Sequence, residues 1–156
     1  MRRLFPPLLA ASLALAACVV LARAATTYNG SVTGSQTASA EGVSLNLNAT
    51  GDLPGMLTLS LKHEGGSVTG GTWSLTVLPP DADATSNERG RLAGVVSGGT
   101  LTIDAHGIVS AAEALRLDVQ GGTGQYTGVS AGAGTLALSA DPENASKLGG
   151  PLKFDF

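Results

Sequence analysis

The chain has one cysteine, two histidines and few aromatic residues, which make up 4% of its 156 positions. A single cysteine excludes an internal disulfide, so the fold must rest on its apolar core. His63 and His106, with no Cys pair and no His-x-x-x-His spacing, offer no histidine-based metal centre; no metal or other cofactor is expected. Charge is scarce as well: 13% of residues are charged, nine Lys and Arg against twelve Asp and Glu. Without a basic cluster, nucleic acid and anionic membranes are not expected as partners.

One long apolar run is present, at the start of the chain. Met1-Arg2-Arg3 precedes an uncharged run over residues 8–21, and Ala22-Arg23-Ala24 follows it. A positive start, an apolar centre and a small-x-small end predict a secretory signal peptide over 1–24 and a single domain over 25–156. The run is short for a bilayer and no second one follows, so no transmembrane segment is expected and the predicted location is secreted or periplasmic. A second processing route stands beside this one. Leu15-Ala16-Ala17-Cys18 resembles a bacterial lipobox, in which Cys18 would carry a lipid anchor.

What the chain does have is alternation. Apolar side chains recur at every second position in Val43-Leu45-Leu47, Leu57-Leu59-Leu61 and Trp73-Leu75-Val77. The pattern returns in Leu101-Ile103-Ala105, Leu115-Leu117-Val119, Leu136-Leu138 and Leu152-Phe154-Phe156. Period two means one buried and one wet face, as in an antiparallel sheet. Turn residues punctuate the runs at Asp52-Leu53-Pro54-Gly55, Glu64-Gly65-Gly66, Pro79-Pro80-Asp81, Gly98-Gly99, Gly121-Gly122 and Gly149-Gly150.

Parity sharpens two of these turns. A two-residue turn at Gly98-Gly99 would pair Val96 with Leu101 and Leu92 with Ala105, and it would set His106 outward beside Arg91. Around Gly65, a three-residue loop (residues 65–67) is predicted because it sets Leu59 opposite Trp73 and Leu57 opposite Leu75. Ser110-Ala111-Ala112-Glu113 matches a helix capping box, but the alternation of Leu115, Leu117 and Val119 favours a strand, entered at most through one helical turn. About eight or nine short strands with almost no helix predict an all-β fold, a single antiparallel barrel of about eight strands, with a β-sandwich as the alternative.

The phrase Val-x-Gly-Gly-Thr occurs at residues 68–72, 96–100 and 119–123, without a fixed period. The third copy continues as Gly124-Gln125-Tyr126-Thr127-Gly128, with apolar strands on either side. Over about twenty residues this stretch resembles the late strands of the allene oxide cyclase and dirigent-type barrels. The resemblance implies an eight-stranded barrel with a central cavity, in a family whose members turn over or orient small apolar molecules. The family's catalytic carboxylates have no counterpart here, so the resemblance carries no active site. Independently of it, Tyr126 among so many glycines can fold over one barrel end as a plug.

Other motifs are weak. Gly128-Val129-Ser130-Ala131-Gly132 matches a nucleophile elbow, yet no helix follows and no histidine occurs after His106. Residues 132–137 match a loose dinucleotide fingerprint but open a strand. Asp81 and Asp83 lack the rest of a calcium loop. Asn29, Asn48 and Asn144 begin glycosylation sequons, relevant only in a host that glycosylates. His63 continues the parity of Leu57, Leu59 and Leu61 and should point inward, in the same interior as Trp73. His63, Trp73 and Tyr126 are therefore the candidate ligand-binding residues, with no catalytic residue assigned. Three functions follow as expectations: a noncatalytic exported barrel binding a small apolar molecule in its interior, a cyclase, isomerase or dirigent-like stereo-directing protein, or a structural or adhesive envelope component.

Overall fold

Residues 25–39, 42–79, 89–103, 109–141, 144 and 147–156 are described by the computed structural model of the chain. The leader with Cys18, the loop holding Asp81 and Asp83, and His106 lie outside the described residues. A strand not read from the sequence, β1 (Thr27–Ser39), precedes β2 (Gly42–Gly51), β3 (Gly55–Glu64), β4 (Ser67–Val77), β5 (Gly90–Ile103) and β6 (Val109–Gly122), which carry the alternating runs. They are followed by β7 (Gly132–Leu136), β8 (Ser139–Ala140) and β9 (Lys147–Asp155). A one-turn 3-10 helix, Gly124–Tyr126, is the one helical element among the described residues.

Each strand pairs antiparallel with the next from β1 to β7, then β7 with β9, and β9 returns to β1 through Thr27↔Asp155 to Ser35↔Lys147. This closing pair makes a barrel and excludes the sandwich. The ring has eight strands, because β8 continues the edge of β7. Leu136↔Leu152 and Ser139↔Gly149 keep one register on β9. The ladder lapses opposite Pro151, which has no N–H to donate; Ala137 instead donates its N–H to the Pro151 carbonyl at 3.2 Å.

Inward positions fill the barrel with aliphatic side chains. Leu45, Leu57, Leu75, Leu92, Leu117 and Leu136 are at most 1% exposed, and no polar side chain is buried among the described residues. With no disulfide, this burial is the main source of stability, about 1.5–3 kcal/mol per fully buried large aliphatic side chain. Outward positions of β1 to β4 are almost wholly hydroxyl and amide. They align across strands as rungs, for example Ser35, Asn46, Thr58 and Ser74. Ser31 and Thr50 hydroxyls meet at 2.9 Å and those of Thr58 and Ser74 at 3.1 Å.

Several expectations are corrected. Gly98 and Gly99 do not turn the chain: β5 runs through them, and its pairing with β6 shifts register between Val96 and Gly98 and again between Gly98 and Thr100. Val96 and Leu101 lie five residues apart and must share a face, which either a turn or an extra bulged residue achieves; the chain uses the bulge. At Gly65-Gly66 the predicted pairs Leu59↔Trp73 and Leu57↔Leu75 hold, but the loop is two residues long. Both glycines have positive φ, 56° and 87°, as a primed turn requires. The residue that the parity demanded is Thr69, bulged between Lys62↔Gly70 and His63↔Val68. Gly149 and Gly150 lie inside β9 rather than in a turn, and a side chain at Gly150 would strike the Ala137 carbonyl. The capping-box segment is strand throughout.

Candidate functional site

The few aromatic residues are not dispersed. Trp73 projects inward from β4 and Phe154 from β9, four strands apart whichever way the ring is counted. Their ring centroids nevertheless lie 5.1 Å apart, so the two side chains meet across the lumen. Two inward glycines make room. A Cβ on Gly94 would sit 3.0 Å from the indole Nε1, and one on Gly134 would sit 2.5 Å from the Phe154 ring. The indole N–H donates to the Val95 and Asp118 carbonyls at 3.2 and 3.3 Å, so burial leaves it satisfied. At this level the lumen is occupied by the protein's own rings.

From Phe154 the rings continue to one end of the barrel. Phe154 and Phe156 are 6.3 Å apart, edge to face; Tyr28 stacks on Phe156 at 4.7 Å, and Tyr126 meets Phe156 edge-on at 6.4 Å. All five aromatic side chains of the described residues thus form one connected file, from mid-lumen to mouth.

The mouth itself is built by the Gly-rich stretch. After β6 the chain crosses the end through the 3-10 turn, held by Val129 N–H donating to the Tyr126 carbonyl at 2.9 Å and Thr127 Oγ1 to the Gly124 carbonyl at 2.6 Å. Tyr126 lies over Gly90 and Gly122, where added Cβ atoms would approach its side chain to 3.0 and 2.7 Å. Its hydroxyl accepts a hydrogen bond from Gln125 Nε2 at 3.2 Å. Between this turn, the start of β1 and the end of β9 opens a cleft of about 510 Å³ lined by Thr26, Tyr28, Gln125, Tyr126, Val129, Ser130 and Phe156, among others. That volume lies within the range of small-molecule sites. Among the described residues none of its lining side chains is charged.

Just outside the cleft, the Thr27 hydroxyl donates to Asp155 at 2.6 Å and the Lys153 ammonium lies 3.0 Å from the same carboxylate. Both hold the Asp155 carboxyl below its ordinary value, Thr27 most. This clasp therefore favours the folded state at neutral pH and is lost as pH falls through the lowered value. It is solvent-exposed, so its contribution is small.

The three candidate residues do not converge. Tyr126 lines the cleft. Trp73 lies behind it in the lumen, linked through Phe154 and Phe156. His63 is at the opposite end, eight residues along β3 from Gly55, a run of roughly 26 Å at the usual strand rise. Among the described residues its Nε2 is buried without a hydrogen-bond partner. Such an orphaned nitrogen costs about 1–3 kcal/mol, so His63→Leu, which extends the file of Leu57, Leu59 and Leu61, should stabilise the protein by about 1 kcal/mol. Urea unfolding checks this, and destabilisation would mean that the ring nitrogen has a partner.

Tyr28 and Phe156 were not singled out from sequence. Phe156 was visible as the last member of an alternating run, but Tyr28 stands in β1, where inward Gly30 and Gly34 hide the alternation. Among the described residues no group of three or more His, Cys, Asp or Glu could hold a metal ion. Nor is any described helix long and apolar enough to cross a membrane. No protein-family model, curated protein or solved structure matches the chain.

Proposed function

We propose that this is an exported, noncatalytic barrel protein that binds a small, uncharged, ring-containing molecule. The site is the cleft at the aromatic mouth, rather than the barrel interior. The observation that carries the reading is the convergence of Tyr28, Tyr126 and Phe156 on one cleft in a chain with so few aromatic residues. Rings offer flat apolar area at little entropic cost, and stacked or edge-on pairs add about 0.5–1.5 kcal/mol each. Gln125, Ser130 and Thr26 supply hydrogen-bonding groups without charge, which suits a neutral ligand. Among the described residues the lining has no carboxylate, imidazole or amine to move a proton, which supports the reading of binding over catalysis. The apolar leader supports export.

Kinship with the allene oxide cyclase and dirigent-type barrels is part of the proposal. It is supported by the closed eight-stranded ring and by the position of the Gly-rich stretch between β6 and β7. Fold alone does not transmit a reaction.

Titration with N-phenyl-1-naphthylamine, an uncharged aromatic dye, tests the site. Saturable fluorescence enhancement is expected, with affinity about tenfold weaker in Tyr126→Ala, the loss of roughly one ring contact. Thr102→Ala, on the exposed face of β5, should leave binding unchanged. Absence of saturation, or equal affinity in Tyr126→Ala, would overturn the proposal.

A further inference from the structure

A second candidate site lies on the outer wall, away from the aromatic mouth and independent of it. The rung Thr33, Asn48, Met56 and Thr76 crosses four strands, and beside it runs Ser35, Asn46, Thr58 and Ser74. Neither rung carries a charge. Of these residues Thr33, Ser35, Asn46, Asn48 and Met56, together with β8 and the start of β9, border a groove of about 830 Å³, larger than the cleft at the mouth. Met56 lies in this groove and is 51% exposed, the one large hydrophobic side chain left exposed among the described residues. An apolar thioether set among amides and hydroxyls is an unusual surface, and its chemistry narrows the partner.

A protein partner would need far more apolar area than one methionine supplies. An anionic polymer would need a basic track, and Lys147 on the rim stands near Asp141. An ice face would need a flat array, whereas this surface is concave. A sugar chain meets every requirement. Its hydroxyls both donate and accept, as do the Asn46 and Asn48 amides, and each ring presents an apolar C–H face of a size to cover Met56. Groups on one rung are about 4.8 Å apart, close to the repeat of successive rings in an extended chain. We infer that this groove binds a neutral polysaccharide segment, one ring packed on Met56 and its neighbours hydrogen-bonded to Asn46, Asn48, Thr33 and Ser35. The barrel would then hold a small molecule at one end while its wall engages a glycan, an envelope-adhesive role.

The Met56 methyl group reports on this directly, because the only other methionine, Met1, lies in the leader. The purified protein, labelled with 13C at the methionine methyl, would be titrated with cellohexaose, xylohexaose and maltohexaose. A saturable Met56 methyl shift is expected with at least one of them, with Kd on the order of 0.1–1 mM for so wet a contact. Asn48→Lys, an exposed change, should weaken binding at least tenfold while the melting curve is kept, and Met56→Leu should retain it. No methyl shift with any of the three, an undiminished affinity in Asn48→Lys, or thermal hysteresis without glycan binding would overturn the inference. N-phenyl-1-naphthylamine titration of the same samples reads the aromatic cleft separately, so failure at one site is distinguishable from failure at the other.

Discussion

A chain that stops at residue 146 will not form a cooperative barrel. β9 contributes the Leu148, Leu152 and Phe154 side chains, each at most 4% exposed, and it pairs with β1 on one side and with β7 and β8 on the other. Removing it takes away about 1.5–3 kcal/mol for each of these side chains, before the void they leave is counted. It also converts β1 and β7 into open edges whose unpaired N–H and C=O groups invite pairing with other chains. The total is comparable with the whole stability of a domain this size, about 5–15 kcal/mol. The expected result is a protein without a sigmoidal urea transition and with large species on gel filtration. A monomer unfolding with the full-length denaturant dependence would show that the β1–β9 seam does not close the fold.

Trp73→Ala should be the most damaging single substitution. It deletes the ring that meets Phe154 across the lumen, and the flanking positions Gly94 and Gly134 have no side chains to move into the void. Large-to-small aromatic changes in cores cost about 3–5 kcal/mol, with the upper part of that range expected where collapse is prevented. A fall in Tm of roughly 10–15 °C follows for a domain of this length. Trp73→Phe should cost about half as much, since it keeps a ring against Phe154 and loses the indole donor to the Val95 and Asp118 carbonyls. Circular dichroism at increasing urea is the measurement, because the substitution removes the chain's only tryptophan. A loss below about 1 kcal/mol would mean the lumen can close around the gap, contrary to the glycine spacing.

Both expectations rest on features with different visibility in the sequence. The inward faces of β2, β3, β4 and β6 were legible, because side chains alternate across a strand and burial of one face writes that period into the residues. The same logic located Leu59 opposite Trp73. It failed at Gly98-Gly99, where a bulge and a turn satisfy one parity rule equally well. It also failed for β1, whose inward face includes Gly30 and Gly34 because backbone from β2 passes close beside them.

The candidate site shows the same division. Tyr126 could be picked out locally as a large ring among glycines. Its partners could not, since Tyr28 and Phe156 come from opposite ends of the domain and meet only because β9 pairs with β1. His63 satisfied the inward pattern of its strand, yet parity specifies a face and not a height, and it stands at the other end of the barrel from the cleft. By itself the amino-acid order determined an all-β chain, the buried faces of β2, β3, β4 and β6 and the pairing of β3 with β4, because those follow from neighbours a few residues apart. Closure of the ring, the filling of the lumen by Trp73 and Phe154, and the gathering of aromatic side chains at one mouth were decided only by tertiary structure. They depend on contacts between residues far apart in the chain, whose distance no local period encodes.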